Sequence, residues 1–211
     1  MRLPLAKDGW RFIIPLGIIA VALWLTDISV SLSIIVTALT IFVIAFFRDP
    51  ERNTPEGEGL VISPADGKII RLEKVKNSIL SGEEHFMVSI FMSVFNVHVN
   101  RIPLSGKVTG KKYNYGKFIS AFKEKSSNEN ENNVIVVRGK KHAAEVVQIA
   151  GLIARRIVCW VNVGDDVSVG NRFGLIRFGS RVDVYLPVSF EPGIVKGQKV
   201  KAGETILGVL K

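Results

Sequence analysis

Residues 172–187 read RFGLIRFGSRVDVYLP, a run in which apolar residues alternate with charged ones around a Gly-Ser pair. Alternation with a period of two, together with β-branched and aromatic side chains, predicts a β-strand. Glycine weakens a strand unless the chain needs a bulge, a close backbone approach or an unusual conformation there. The stretch therefore predicts β structure and leaves two interpretations of Gly179-Ser180: a bulge without chemistry, or a reactive backbone site.

Similar short patterns fill the chain around this stretch. Turn residues separate them at intervals of about ten residues, which is typical of an all-β sandwich or barrel. The predicted strands lie in LVISPADGKIIRLEKV, HFMVSIFMSVFNVHV, GKVTGKKYNY, NVIVVRG, AEVVQIAG, RIVCWVNV, GLIRFGSRVDVYLP and ETILGVL. GKFISAFKEK, residues 116–125, suggests one short helix. We expect a mainly β domain over residues 61–211, preceded by a polar linker with Pro and Gly over residues 48–60.

Two sequence motifs occur twice. Residues 164–170 and 197–203 share the form G-x-x-V-x-x-G, and residues 64–69 and 103–108 share P-x-x-G-K-[IV]. Such pairs indicate interlocked half-barrel units, as in lipoyl- and biotinyl-carrier domains. A carrier presents a modified lysine at a hairpin tip, and we identify no lysine at such a tip between the two halves. The repeat therefore predicts a barrel or sandwich-hybrid-like architecture, without a carrier function.

The N-terminal region is strongly apolar. Residues 12–26 read FIIPLGIIAVALWLT and residues 28–47 read ISVSLSIIVTALTIFVIAFF, with Asp27 between them. The second run has about the 20 residues that cross a bilayer core, whereas the first is short. A cleaved signal peptide would not explain the second, longer run. We expect a membrane-anchoring helical hairpin over residues 1–47, and a pair of interfacial helices that do not cross is the alternative.

Basic residues stand on both flanks of this hairpin. Arg2, Lys7 and Arg11 precede or open it, and Arg48 and Arg52 follow it. Positive flanks favour the cytoplasmic side of a membrane. We therefore expect both ends, and the domain that follows, on the cytoplasmic side of the cell membrane.

The formal net charge of +9 is distributed along the chain. Nucleic acid and an anionic lipid surface both suit this charge, and the apolar N-terminus favours lipid, so we expect no nucleic-acid partner. The single cysteine, Cys159, excludes an internal disulfide and is interpreted as a buried, inert thiol. The three histidines lack metal-binding spacing, and neither phosphate-binding glycine motifs nor a nucleophile elbow is present. We therefore expect no metal and no nucleotide cofactor.

The Gly179-Ser180 pair can carry chemistry if the backbone is held in an unfavourable geometry. The serine hydroxyl then attacks the preceding carbonyl through a five-membered ring and forms an ester. Elimination gives dehydroalanine, and its hydrolysis releases ammonia and leaves a new chain that begins with a pyruvoyl group. This ketone is a built-in electrophile that forms Schiff bases with amines, as pyridoxal phosphate does. From these residues alone, the bulge and the reactive site both stay open.

The surroundings of this pair resemble those in the phosphatidylserine decarboxylase family. RFGLIRFGSRVDVYLP, preceded by VGDDVSVG, resembles the self-cleavage region in which a Gly-Ser bond is broken. ISPADGKI resembles the family's Ser-Pro-x-Asp-Gly segment, FMSVFNVHVNRIPLSGKV its histidine segment and SSNENENNVIVV its Asn-Glu-rich stretch. These matches keep the family's order along the chain, and the compact length with an N-terminal hairpin resembles the short bacterial and archaeal form.

The resemblance implies a role for each of four residues. Ser180 becomes the pyruvoyl group, which is the cofactor that forms a Schiff base with the substrate. Gly179 becomes the new C-terminus of the larger chain. Asp66 matches the acid of the family's Asp-His-Ser self-cleavage triad, and His98 matches the first histidine of its His-x-x-His-x-Pro pattern.

Two positions depart from the family's pattern. Arg101 stands where the second histidine, the one assigned to the triad, is expected, and Arg181 replaces the usual threonine after the cleaved bond. An arginine stays protonated and makes a poor base. We therefore expect His98 to activate Ser180 with Asp66 orienting it, although the resemblance leaves the base that drives self-cleavage open.

The expected function is pyruvoyl-dependent decarboxylation of phosphatidylserine to phosphatidylethanolamine after self-cleavage of a proenzyme. The expected partners are phosphatidylserine, anionic membrane lipid, and the large and small chains of one precursor as a heterodimer; homo-oligomerisation stays open. Two alternatives remain: a decarboxylase of a related lipid such as archaetidylserine, and a non-enzymatic, membrane-tethered lipoyl-like β module.

Overall fold

The computed structural model describes residues 4–76, 84–116, 129–151, 156–177 and 180–211. The chain forms two compact units, Met1–Glu51 and Arg52–Lys211. The first unit contains two helices and the second is built from strands, which confirms the mainly β class. The short helix suggested for residues 116–125 falls almost entirely outside the described residues.

The N-terminal unit is an antiparallel helical pair. A 3-10 turn, Lys7–Gly9, leads into helix α1, Trp10–Thr26, and helix α2 covers Val30–Phe46. Asp27 ends α1 in a left-handed conformation with a φ of 50°. Ser29 caps α2, because its side chain accepts a hydrogen bond from the Leu32 N–H at 3.3 Å. The predicted hairpin, with its tip at residues 26–29, is confirmed.

The lengths of the two helices differ from the sequence prediction. The 3-10 turn and α1 together cover Lys7–Thr26, 20 residues that are long and apolar enough to cross a membrane. Helix α2 has 17 residues and spans about 26 Å, less than a bilayer core of roughly 30 Å. The expectation that the second run has the length to cross a bilayer and the first is too short is wrong, because the first helical segment begins at Lys7 and α2 begins only after its Ser29 cap. One helix of this kind is weak evidence of membrane association, because signal sequences and the buried core helices of soluble proteins can be equally long and apolar.

The two ends of the helical pair are joined by backbone hydrogen bonds. The Ala6 N–H donates to the Phe47 carbonyl at 2.8 Å, and the Asp49 N–H donates to the Pro4 carbonyl at 2.7 Å. Both ends of the hairpin therefore lie side by side. Large apolar side chains are exposed along both helices, among them Ile18, Val21, Leu25, Ile35 and Ile41.

The β domain contains fourteen strands among the described residues. They are β1 Leu60–Ile62, β2 Gly67–Val75, β3 His85–Met92, β4 Val99–Arg101, β5 Gly106–Asn114, β6 Asn132–Arg138, β7 Ala143–Ala150, β8 Ile157–Cys159, β9 Asp166–Val167, β10 Arg172–Ile176, β11 Ser180–Pro187, β12 Phe190–Pro192, β13 Lys199–Val200 and β14 Ile206–Leu210. An eight-stranded, curled sheet has the order β13-β2-β3-β11-β7-β6-β5-β9, and two three-stranded sheets have the orders β4-β10-β8 and β1-β14-β12. Apolar side chains from all three sheets share one buried core, among them Val61, Ile90, Val146, Phe173, Val182 and Leu207.

The stretch RFGLIRFGSRVDVYLP is divided between two of these sheets. Strand β10 pairs with β4 and β8, whereas β11 lies between β3 and β7 in the large sheet. The prediction of one strand over this stretch is wrong, because the chain changes sheets between Arg177 and Ser180. Phe178 and Gly179 lie outside the described residues. Ser180 thus opens a strand directly after a passage between two sheets.

The repeated motifs occupy matching places in the fold. Strands β9 and β13 lie within the two copies of G-x-x-V-x-x-G, and they pair with β5 and β2, which begin in the two copies of P-x-x-G-K-[IV]. The two pairs form opposite ends of the eight-stranded sheet. The glycines that bracket each copy have φ values of 99°, 79°, 93° and 76°, a region that residues with a side chain rarely adopt; they are Gly164, Gly170, Gly197 and Gly203.

Candidate active site

Ser180 is fully buried at the start of β11. The strand pairs place it opposite Met92 on β3 and Ala150 on β7. Its Oγ donates to the Met92 Sδ atom at 3.4 Å. A thioether is a weak hydrogen-bond acceptor, so this contact orients the hydroxyl without holding its proton strongly. The predicted nucleophile therefore lies in a dry environment with both neighbouring strands in place.

A chain of buried polar side chains leads to Ser180. The Met92 Sδ also accepts from Asn100 Nδ2 at 3.7 Å, Asn100 Oδ1 accepts from Gln148 Nε2 at 2.8 Å, and Gln148 Oε1 accepts from Asn133 Nδ2 at 3.0 Å. Sequence motifs did not indicate this network, although the histidine segment contains Met92 and Asn100 and the Asn-Glu-rich stretch contains Asn133. Buried polar side chains are normally hydrogen-bonded, and a connected network of such bonds fixes the positions of the side chains in it.

His98 is fully buried and stands between a tight turn and strand β4. Its Nδ1 atom lies 2.9 Å from the Asn96 carbonyl. A carbonyl only accepts hydrogen bonds, so Nδ1 carries the proton, and Nε2 is the basic nitrogen of the neutral ring. Asn96 is itself fixed, since its Oδ1 accepts from both the N–H and the hydroxyl of Ser93 at 2.8 Å. The Ile176 N–H donates to the His98 carbonyl at 3.4 Å, which links this segment to the strand that precedes the cleavage region.

Asp66 lies directly before β2 and is only 8% exposed. Its carboxylate accepts from Arg52 Nη2 at 2.9 Å and 3.2 Å, and Oδ1 also accepts from the Ala202 N–H at 2.8 Å. These contacts form a buried ion pair with a second, backbone hydrogen bond. The contacts described for Asp66 are with Arg52 and Ala202, and the contact described for the His98 Nδ1 atom is with a backbone carbonyl. Orientation of His98 by Asp66 therefore stays a prediction.

The second half of the domain shows which contact of Asp66 is structural. Ser105 stands in the place of Asp66 in the other P-x-x-G-K-[IV] motif, and its Oγ accepts from the Val169 N–H at 2.9 Å. Both halves thus close the same loop with a side-chain oxygen and a backbone N–H. The ion pair with Arg52 is the feature that distinguishes Asp66 from its counterpart.

The two arginines that depart from the family's pattern have structural contacts. Arg101 is buried, and its Nη1 donates to the Gly170 carbonyl at 2.9 Å. Arg181 is fully buried, and its Nε and Nη2 contact the two Asp183 oxygens at 2.9 Å each. Both guanidiniums are therefore bound to acceptors, and neither has the lone pair that a base needs.

The face of β11 opposite to Ser180 is unusually polar for a buried surface. Arg181 and Asp183 project from that face, and Glu145, also fully buried, lies on the neighbouring strand opposite Tyr185. Burial raises the pKa of Tyr185 well above its ordinary value, and the nearby Asp183 and Glu145 carboxylates raise the pKa further. The phenol therefore stays neutral in ordinary buffers.

Among the described residues, no group of three or more His, Cys, Asp or Glu side chains is arranged to hold a metal ion. Cys159 is partly buried, and its Sγ lies 3.6 Å from the Val161 carbonyl. The structure therefore describes Ser180, His98 and Asp66 in separate hydrogen-bonded settings, and Gly179 lies outside the described residues.

Comparison with known proteins gives one consistent result. A family model described as phosphatidylserine decarboxylase matches residues 39–208. A protein of Syntrophus aciditrophicus (strain SB) named phosphatidylserine decarboxylase proenzyme is 50% identical over 208 residues, which cover 97% of this chain and 96% of that protein. Proteins of the same name from Geotalea uraniireducens (strain Rf4) and Ehrlichia canis (strain Jake) are 50% and 47% identical, over 98% and 97% of this chain and 97% and 91% of their own lengths.

Proposed function

The chain belongs to the phosphatidylserine decarboxylase family, and from that premise we propose that it is a proenzyme that cleaves itself before Ser180 and then decarboxylates phosphatidylserine to phosphatidylethanolamine. The observation that carries the proposal is the setting of Ser180. It is a buried serine at the start of a strand, behind a Gly-Ser bond at a passage between two sheets. A strand with only a structural role does not need a serine there.

Ser180 supplies the nucleophile for self-cleavage. Its Oγ has the Met92 thioether as its described acceptor, and this weak bond is easily given up when the hydroxyl attacks the preceding carbonyl. His98 is the proposed base, because the Asn96 carbonyl fixes the tautomer in which Nε2 is the basic nitrogen. Asp66 is the proposed third member, held in place by its ion pair with Arg52.

The pyruvoyl group of the family fits this place, since it is formed from Ser180 itself. Ser180 is hydrogen-bonded between β3 and β7, so a group made from it stays fixed at the end of β11 after cleavage. The ketone supplies an electron sink for the pair of electrons that departing CO2 leaves behind. The chain's own contribution is to bury and orient that group, and the Met92–Asn100–Gln148 network fixes the surrounding side chains.

The N-terminal helical pair is proposed to anchor the enzyme in the cell membrane. The substrate is a lipid, and the formal charge of +9 suits an anionic leaflet. The basic flanks of the pair favour the cytoplasmic side for the β domain.

The test uses full-length protein in detergent and a Ser180→Ala variant. We expect the wild type to give two chains on a denaturing gel, with intact masses that correspond to residues 1–179 and 180–211, the second blocked by a ketone. The Ser180→Ala variant should give one chain and no phosphatidylethanolamine, whereas Ser189→Ala, a change at a partly buried serine of the same segment, should cleave and react normally. An active wild type that consists of one uncleaved chain would refute the proposal. Parallel assays with archaetidylserine distinguish the related lipid as the preferred substrate.

A further inference from the structure

We propose that Phe95 inserts into an anionic phospholipid bilayer and sets the position of the catalytic edge of the β domain at the lipid surface. This inference rests on the proposed function, since it concerns how a lipid substrate reaches Ser180. Phe95 lies in the turn between β3 and β4 and is 76% exposed. A large aromatic side chain in water loses the stabilisation that its burial would give.

The turn that carries Phe95 is rigid. The Asn96 N–H donates to the Ser93 carbonyl at 2.9 Å, and the Asn96 side chain accepts both the N–H and the hydroxyl of Ser93 at 2.8 Å. Ser93 and Asn96 make all of these bonds, so the turn does not depend on the side chain at position 95. The phenyl ring is therefore presented to the surroundings by a fixed backbone.

The same turn positions the proposed base. The Asn96 carbonyl, one residue after Phe95, contacts the Nδ1 atom of His98 at 2.9 Å. A force that seats Phe95 in a bilayer would thus act within three residues of His98. Because the two residues are this close along the chain, the depth of the Phe95 ring in the bilayer would also set the position of the His98 imidazole relative to the lipid surface.

An exposed arginine lies at the end of the β4-β10-β8 sheet that the turn of Phe95 adjoins. The His98 carbonyl is bonded to the Ile176 N–H, and the next residue, Arg177, donates its N–H to the Arg156 carbonyl at 3.2 Å. Arg156 is exposed. An exposed aromatic side chain and an exposed arginine at the same end of a sheet suit the interface of an anionic bilayer, with the ring at the headgroup level and the cation near the phosphates. The acyl chains of the substrate can then stay in the bilayer while its headgroup reaches the site.

The first test measures insertion directly and does not depend on activity. Full-length Phe95→Trp and Val188→Trp proteins are reconstituted into vesicles of phosphatidylserine and brominated phosphatidylcholine, and the wild-type emission is subtracted. Val188 is an exposed apolar residue in the turn after β11 and serves as the matched control. We expect the added fluorescence of Phe95→Trp to be quenched by the brominated lipid and that of Val188→Trp to be unaffected. Equal quenching of the two, or none for Phe95→Trp, would overturn the inference.

The second test compares Phe95→Ser with Val188→Ser. For each protein, the rate of decarboxylation of phosphatidylserine in vesicles is divided by the rate with a short-chain, water-soluble phosphatidylserine. We expect this ratio to fall about tenfold for Phe95→Ser, as the loss of one buried phenyl group predicts, and to stay at the wild-type value for Val188→Ser. An unchanged ratio for Phe95→Ser would overturn the inference. A wild type inactive on both lipid forms would refute the proposed function instead, and the quenching result would still decide the role of Phe95.

Discussion

Asp66 accepts a backbone hydrogen bond whose counterpart in the other half of the domain is accepted by a neutral serine hydroxyl. Its bond to the Ala202 N–H has a counterpart in the bond between Ser105 and the Val169 N–H. A negative charge is therefore not required to close this loop. The charge of Asp66 is compensated by Arg52, and it is this charged part of the residue that self-cleavage would use.

The Asp66→Asn variant separates the two roles, because its side-chain oxygen can still accept from the Ala202 N–H. We expect uncleaved precursor to accumulate, while the free energy of unfolding falls by roughly 1–3 kcal/mol through the lost ion pair. Arg52 keeps a partner, since its Nη1 lies 3.3 Å from Glu204. Denaturing gels over time and thermal unfolding measure the two effects. As a matched control, Ser105→Ala should lose about 1 kcal/mol of stability and cleave at the wild-type rate. Normal cleavage of Asp66→Asn would remove Asp66 from the self-cleavage machinery.

His98 and Arg101 should behave differently although they lie three residues apart. His98→Ala removes the proposed base, so we expect the precursor to remain uncleaved. Arg101→Ala removes a bond to the Gly170 carbonyl and should cleave, with stability lowered by roughly 1–3 kcal/mol. The fraction of precursor on denaturing gels is the measurement. A His98→Ala protein that cleaves normally but does not turn over lipid would assign His98 to decarboxylation instead.

The site residues Ser180, His98 and Asp66 could be proposed from the sequence because short motifs surround them. The hydrogen-bond and ion-pair partners of these residues could not be predicted from the sequence. Arg52 precedes Asp66 by 14 residues and lies in a segment that was predicted as a linker. The polar network joins side chains from β4, β6 and β7, so its existence depends on how distant strands are paired. Short motifs identify chemical groups, whereas the hydrogen bonds between them follow from the tertiary structure.

Strand β11 shows how one element carries two different environments. Ser180, Val182 and Val184 face the core, and side chains at the alternate positions face the other way. An alternating sequence is typical of a strand with one face in water. Here the second face is buried as well, and it holds the ion pair of Arg181 and Asp183. Arg181, the residue after the nucleophile Ser180, is thus held on the opposite face of the strand.

Breaking this ion pair should cost far more than breaking an exposed one. In a Ser180→Ala background, which keeps the chain uncleaved, we expect Arg181→Ala to lower the free energy of unfolding by about 3–5 kcal/mol, because the Asp183 charge stays buried. Replacing both residues by Met and Leu should recover most of that loss. Lys107→Ala is the matched control, since its pair with Asp166 spans 3.8 Å and is largely exposed, and it should change stability by less than about 0.5 kcal/mol. Equal losses for Arg181→Ala and Lys107→Ala would contradict this account of β11.

Element boundaries were harder to predict than element types. The sequence indicated the strands, the helical hairpin and the internal repeat, since each depends on local periodicity or turn residues. It did not divide residues 172–187 into β10 and β11, because both halves have the same alternating pattern and only their partner strands differ. The length of α2 was overestimated because the apolar run was counted from Ile28 to Phe47, whereas the helix covers Val30–Phe46 between its Ser29 and Phe47 caps.

The whole β domain depends on strands from both sides of the proposed cleavage point. Strand β11 lies between β3 and β7, β14 lies between β1 and β12, and β13 pairs with β2. The segment 180–211 therefore cannot leave without opening two sheets and the common core. We expect the two chains to elute together in native size-exclusion chromatography and to separate only after denaturation. Elution of a free small chain under native conditions would show that the fold does not hold the pieces together.

The arrangement of the helical pair determines how the whole molecule sits at a membrane. Backbone hydrogen bonds join the segments that precede α1 and follow α2, so both ends of the pair lie on the same side. The basic residues near those ends favour the cytoplasmic side. In intact cells, or spheroplasts if an outer membrane is present, we expect residues 52–211 to resist an added protease, and to become digestible once the membrane is permeabilised. An exported protein serves as the control for protease access. Digestion of the β domain before permeabilisation would place it on the outer side and reverse the proposed topology.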